Sequence, residues 1–424
     1  MLGKSPATLF TKPNRRQHEG LYHLSLVEDC FPVNEINMNT DNIKPEVKPP
    51  EKKISPKKNP QKNNKIFRVL NKYTDNFPTF QMPKVTGYWS IDGTRTQHHD
   101  SSQLRYYIPC NGDSVNIDLN EGLEQVVRRP DSLDHEKIDH LLRWIEKNYQ
   151  RILAHPDSPR WLQPYFICFR GTLRKILKSP YNRLGWKICA AKWKGSIYLF
   201  HYETEYDKEK TIKEKKRNHE SSYWGGKFRQ YMLSDSPNKP PDVSKPVNEC
   251  ERFFCVFKGR LNDHSLLYRA EIDAVCSDRK FKDPLPLRHL KFMKIRTGKL
   301  SESPEQELAR KKLRSLDLWS QMYLSGVNEV VYGLREDSDG IVRRMVKESV
   351  SELIEKSKEF WKPEICMKFC DEFLKFIHRT VRKNCDKTIY QFERTPFRDI
   401  LVTELPPTSE YAFIPDWYQL LPKE

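Results

Sequence analysis

The sequence predicts an α+β fold, built as one large domain from about residue 66 to the C-terminus. Three observations carry this. Segments of strand period and segments of helix period interleave without the regular strand–helix–strand spacing that builds a parallel sheet. No internal repeat is visible. Hydrophobic residues form 37% of the 424-residue chain and aromatic residues 12%, which is ample for a core and excludes wholesale disorder.

Residues 1–65 stand apart. Within them, residues 41–65 hold eight Lys and five Pro but only three apolar side chains. Such a stretch cannot bury enough surface to offset its ordering entropy, so it reads as a disordered basic linker within a mostly disordered N-terminal segment. Its Lys pairs fit a nuclear import signal or an RNA-binding arm. In residues 134–152, Ile138, Leu141, Leu142, Ile145 and Ile152 recur at helical spacing. Residues 186–203 read as two strands turning at Lys194-Gly195, a hairpin signature. Further strands are expected at 252–258, 266–275, 329–334 and 341–346. Ser303-Pro304-Glu305-Gln306 is a helix start, with a capping Ser, Pro in the first turn and Gln three residues after the cap. That helix should run to Leu324 and stop at Ser325-Gly326. A last helix from Pro363 aligns Ile365, Phe369, Phe373, Phe376, Ile377 and Val381.

Composition narrows the class of protein. No apolar run is longer than Tyr165 to Phe169, which ends at Arg170, far short of the roughly 18 residues of a membrane span. The first residues lack the apolar stretch of a secretory signal, so a soluble, non-secreted chain without a membrane partner is expected. Ten scattered cysteines form no paired Cys-x-x-Cys motif and read as thiols in a reducing compartment. Lys and Arg outnumber Asp and Glu by 74 to 57, a net charge of +17. That balance points to a polyanionic partner, RNA ahead of membrane, although part of the excess lies in the linker.

Several strings resemble, in order, the DXO/Rai family of decapping exoribonucleases over roughly residues 85–418. VTGYWSIDGTRT and LRYYIP (104–109) resemble its N-terminal strand region, and HLLRWI (140–145) its first long helix. FRGTLRKIL (169–177) is similar to the first active-site motif, with Arg170 as its Arg. WGGKF (224–228) resembles the second motif and AEIDA (270–274) the Glu-x-Asp of the third. LWSQMYLSGVNEVVYGLR (318–335) resembles the helix that carries a Gln, here Gln321, and the strand after it. CMKFCDEFL and YAFIPDWY match the C-terminal part. The resemblance implies two mixed β-sheets flanked by helices with a pocket between them. It also implies removal of defective RNA 5′ ends by two divalent cations, held on carboxylates from the second, third and fourth motifs.

The motifs are altered where the chemistry sits. The family places Glu directly after its Gly-x-x-Phe, and Arg229 stands there instead. Where the fourth motif has Glu-x-Lys, this chain has Lys294-Ile295-Arg296. No Asp or Glu lies between Asp283 and Glu302, or between Glu220 and Asp235, so no shift of register restores the missing groups. Glu271 and Asp273 remain as remnant metal-site carboxylates facing Arg170, Arg229, Lys294 and Arg296. Four cations against two carboxylates repel divalent ions, and a protonated Arg or Lys offers no lone pair. The expectation is a pseudoenzyme without metal or other cofactor, in which Arg170, Arg229, Lys294, Arg296 and Gln321 are candidates for holding RNA phosphate. Glu271 and Asp273 would then pair with Arg229 or Lys294.

Three readings stay open: an RNA-binding homologue, a scaffold with a decayed pocket, and a residual 5′-pyrophosphohydrolase using Glu271 and Asp273. Trp193, Tyr223, Trp224 and Tyr231 are base-stacking candidates, with the core as the plainer reading. The resemblance to non-catalytic, nuclear germline members of the family implies shielding of nascent piRNA-precursor transcripts. Its implied partners are an adaptor of Deadlock type and a heterochromatin reader of Rhino type.

Overall fold

A computed structural model describes residues 65–68, 77–110, 112–130, 136–182, 184–209, 219–300, 302–396 and 398–421. All belong to one compact unit spanning residues 57–424. The basic linker expected at 41–65 lies, but for Lys65, outside the described residues.

The strands are β1 (Ile66–Phe67), β2 (Phe80–Ile91), β3 (Gln97–His98), β4 (Tyr106–Tyr107), β5 (Ser114–Asp118), β6 (Phe166–Phe169), β7 (Trp186–Trp193), β8 (Ser196–Tyr202), β9 (Leu233–Ser234), β10 (Arg252–Leu261), β11 (His264–Glu271), β12 (Ala274–Val275), β13 (Phe292–Lys299), β14 (Glu329–Arg335), β15 (Ile341–Ser349), β16 (Ile389–Arg394) and β17 (Ile400–Leu405). Ten of them form one mixed sheet in the order β1-β17-β16-β7-β8-β6-β11-β10-β2-β3, and seven form another in the order β5-β15-β14-β13-β12-β4-β9. In the larger sheet β6 runs parallel to both β8 and β11, while β10 pairs antiparallel with β11 and β2. The two-sheet α+β architecture expected from the sequence is present.

The helices are α1 (Asp139–Asn148), α2 (Arg170–Lys178), α3 (His219–Met232), α4 (Pro304–Ala309), α5 (Ser315–Tyr323), α6 (Val350–Glu355), α7 (Pro363–Thr380) and α8 (Asp416–Gln419). Helices α2, α5 and α7 pack their apolar stripes on one face of the large sheet, where Leu173, Ile176, Trp319, Phe369 and Phe373 meet Phe166, Ile188, Tyr268 and Phe392. The opposite face is covered by α1 and the segment around Phe413 to Tyr418. Helix α3 buries Tyr223, Trp224 and Phe228 against the small sheet.

Local chemistry sets several of these elements. Lys194 and Gly195 both have positive φ, 42° and 83°, the backbone that a two-residue hairpin turn requires. Ser303 caps α4 in a full capping box with Gln306. The helix expected from Pro304 to Leu324 is continuous, but it passes through a π-helical stretch, Arg310–Arg314, between α4 and α5. The helix expected over 134–152 is shorter, since α1 starts at Asp139 and ends in a 3-10 turn, Tyr149–Ile152.

One difference matters for function. The single strand expected at 266–275 is broken. Strand β11 ends at Glu271 in the large sheet, and β12 begins at Ala274 in the small one. Asp273 therefore lies on the crossover between the sheets.

Gly333 of β14 lets the ring of Phe228 rest on bare backbone: a Cβ there would sit 2.4 Å from the ring. Gly333→Ala must displace Phe228 from a filled core. We expect a loss of about 1–3 kcal/mol, read as a lower denaturation midpoint at unchanged slope.

Candidate functional site

The crossover between the sheets gathers the altered motifs. Asp273, with its side chain 1% exposed, receives the Lys294 ammonium on both oxygens, at 2.9 and 2.8 Å. The backbone N–H of Ile295 donates to the same carboxylate at 3.0 Å. Burial works against the charged carboxyl, but Lys294 and then Arg229 outweigh it and bring its pKa to about 2. Burial also lowers Lys294, and Asp273 offsets this only in part because Arg296 and Arg170 repel. Both shifts are downward, so the first favours the charged carboxylate while the second weakens the charged ammonium. The double contact, with a backbone donor behind it, holds the pair in its charged form.

Glu271, at the end of β11, faces Arg252 at 3.1 Å and Arg229 at 3.9 Å. Burial would raise its pKa, yet Arg252 followed by Arg229 keeps it below the ordinary value. Arg252 stands on β10 two residues before Phe254, the register partner of Glu271. Arg229 comes from the last turn of α3, anchored by Phe228 on Gly333.

A second set of contacts joins two helices. Arg170, Arg174 and Lys178 lie four residues apart on α2 and share one face. Asp317, Gln321 and Ser325 do the same on α5 and in the turn after it. Lys178 is paired to Asp317, Arg174 approaches Asp317 at 3.4 Å, and Arg170 donates to the Ser325 hydroxyl at 3.2 Å. Burial followed by Arg174 lowers Arg170 to about 10, against the pull of Glu271 and Asp273. The Gln321 amide oxygen accepts from Arg296 at 3.0 Å, and its nitrogen donates to Asp317 at 2.7 Å.

The structure therefore brings all seven sequence-predicted residues into one connected region, with different tasks. Gln321 is 5% exposed and its amide is engaged at both ends, with the oxygen on Arg296 and the nitrogen on Asp317, so it positions Arg296. Arg229, Arg252 and Arg296 are half-buried, the first two facing Glu271 and the third lying against Gln321. A cavity of about 220 Å³ opens at Arg229 and Arg252, lined also by Arg129, Gly226, Asn248 and Glu249; Arg170, Glu271, Asp273, Lys294, Arg296 and Gln321 do not line it.

Sequence reasoning missed Arg252, Arg174, Lys178 and Asp317. For the α2 and α5 residues a signal existed in the four-residue spacing from Arg170 and Gln321. For Arg252 none existed, because it meets Glu271 only through strand pairing. The stacking candidates Tyr223 and Trp224 are core residues whose polar atoms bond Glu121 and Asn120. Tyr231 bonds Glu121, and Trp193 packs against the core beneath α1.

These residues do not fit two divalent cations. Each remnant carboxylate already faces a protein cation, and among the described residues no three His, Cys, Asp or Glu side chains gather as a metal site. Seven cations (Arg170, Arg174, Lys178, Arg229, Arg252, Lys294 and Arg296) meet three carboxylates (Glu271, Asp273 and Asp317). The arrangement suits an anion that accepts hydrogen bonds from guanidinium groups.

Comparison with known proteins follows the same lines. The family described as RAI1-like PD-(D/E)XK nuclease matches residues 81–419. A decapping and exoribonuclease protein of Bos taurus is 33% identical over 352 residues, covering 82% of this chain and 86% of its own. Among solved structures, Scheffersomyces stipitis Rai1 superposes with a TM-score of 0.70 at 18% identity, over 84% of this chain and 98% of its own. Candida albicans Rai1 in complex with pU5 and Mn²⁺ does so with 0.69 at 19% identity, over 84% and 98%.

Proposed function

Since the chain belongs to the RAI1-like PD-(D/E)XK nuclease family, we propose that it is a catalytically silent member that holds the 5′ end or backbone of RNA instead of cutting it. The observation that carries this reading is the Lys294 ammonium seated on both oxygens of Asp273. A charged side chain there occupies the lone pairs that a divalent cation would need. Arg229, facing Glu271, adds positive charge where the family places a third carboxylate. RNA is the ligand of choice because a relative, Candida albicans Rai1, is complexed with pU5, and because half-buried Arg229, Arg252 and Arg296 can donate to phosphate in pairs.

The finer reading is a role like that of Cutoff, the non-catalytic germline member. The protein would be nuclear and would shield nascent piRNA precursors from 5′-end processing and transcription termination, with partners of Deadlock and Rhino type. This part rests on the altered motifs alone. A pure scaffold role draws support from the closed ion pairs, because a pocket that satisfies itself needs no ligand. A residual pyrophosphohydrolase would need a third ligand beside Glu271 and Asp273.

The deciding experiment is turnover of 5′-triphosphorylated, 5′-monophosphorylated and capped RNA in saturating Mn²⁺, with an active relative as positive control. We expect no release and no shortening at enzyme excess. Cleavage that disappears in Glu271→Ala would show a working metal site and sink the proposal.

A further inference from the structure

A second cationic surface lies at the other end of the same sheet. Strand β6 runs from Tyr165 towards Arg170, so about five residues at ~3.3 Å each, some 16 Å, separate this surface from the pocket. At the Tyr165 end four cations from three parts of the chain converge. Arg160 precedes β6 and stacks its guanidinium over the Tyr165 ring at 5.2 Å. Lys192 lies on β7, bridged to Asn384. Arg379 stands in the last turn of α7, and Arg382 follows the helix, donating to the Arg379 carbonyl at 3.0 Å. In their midst His378 packs on Tyr165, with ring centroids 4.4 Å apart and the ring planes tilted by 44°.

The charges here are not neutralised. Neighbouring Lys375 and Lys383 are ion-paired to Asp371 and Glu404. Among the described residues, Arg160, Lys192, Arg379 and Arg382 form no ion pair. The exposed imidazole is kept neutral at physiological pH, since burial and the cations Arg382, Lys192, Arg160 and Arg379 all lower its pKa. It therefore offers an aromatic face and adds no charge. Arg379 in the last turn of α7 also complements the helix dipole, but Arg160 and Lys192 belong to other elements and have no such reason to be there.

We propose that Arg160, Lys192, Arg379 and Arg382, around the exposed His378 ring, form a second binding surface for single-stranded RNA, separate from the 5′-end pocket. Unpaired guanidinium groups would track phosphates, and an aromatic face among them would accept a base. An acidic protein would satisfy the charges but would leave the exposed ring without a role.

The test uses the full chain and a 5′-hydroxyl oligouridine, which removes terminal-phosphate binding at the pocket, with affinity measured across a salt series. For single strands the slope of log K against log salt is about −0.7 per phosphate contact. Arg379→Gln with Arg382→Gln should reduce the slope by about 1.4 and weaken binding roughly tenfold near 0.15 M salt. Arg160→Gln with Lys192→Gln should do the same, and it keeps the question decidable should the first pair lower the melting temperature. Each pair should lower the slope by the same amount in a background carrying Arg229→Gln and Arg296→Gln, which holds any backbone contact at the pocket constant. An unaltered slope in both pairs overturns the proposal. So does polyglutamate that displaces the oligouridine and shows the same salt slope, which would assign the surface to an acidic protein.

Discussion

Replacing Lys294 by Met should destabilise the protein by about 3–5 kcal/mol, the usual cost of leaving one half of a buried ion pair behind. Asp273 would keep its Ile295 N–H but lose the ammonium from both oxygens. The sign of the pH dependence follows from its pKa of about 2, below the ordinary 3.8. In the parent this carboxyl contributes stability that is present above about pH 4 and lost as pH falls towards 2, on the order of 2 kcal/mol. In Lys294→Met the main group opposing burial is gone, so protonation of Asp273 relieves strain. The deficit against the parent should then be largest at neutral pH and narrow towards pH 4. Adding Asp273→Asn should recover most of it, since the amide carbonyl still accepts from Ile295. Urea denaturation at pH 7 and pH 4 checks all three variants. A single-mutant loss below about 1 kcal/mol would mean that Lys294 does not act as the site's internal cation.

Arg229→Glu combined with Arg296→Glu should weaken binding of a short 5′-phosphorylated RNA by roughly 100-fold or more. Each charge-assisted hydrogen bond is worth about 1.5–3 kcal/mol, and two of them correspond to at least two decades in Kd. Both side chains are half-buried, unlike Gln321, so the change tests binding more than folding. Arg170 is a poorer choice, because its pKa of about 10 reflects burial deep in the site, and a carboxylate there would test folding. Fluorescence anisotropy at fixed salt is the readout. Unchanged affinity with an unchanged melting temperature would leave the pocket without a ligand and favour the scaffold reading.

How much of this was legible beforehand differs by element. The hairpin at Lys194-Gly195 and the capped helix at Ser303 were readable because their causes are local: a positive-φ turn and a Ser-Pro-x-Gln start. The altered motifs were readable too, since the absence of any acid between Asp283 and Glu302 is a fact about order along the chain. From charge type alone it followed that Asp273 and Glu271 would face protein cations.

The partner of each charge was another matter. Arg252 reaches Glu271 because β10 and β11 pair in one register, with Phe254 opposite Glu271, and a strand's partner is fixed by packing far away in sequence. Gln321 reads as a ligand candidate in the string, and its bracing contacts to Arg296 and Asp317 arise only once α5 lies against α2 and β13. The break between Glu271 and Ala274 is likewise decided by which sheet each flanking strand joins. The surface around Tyr165 and His378 unites residues more than 200 positions apart. By itself the sequence determined the family, the α+β class and the inventory of charges, because these depend on residue type and local order. Only the tertiary structure decided which charges neutralise one another and which stay open, because Coulomb and hydrogen-bond energies depend on distances of a few ångströms that the chain sets by folding.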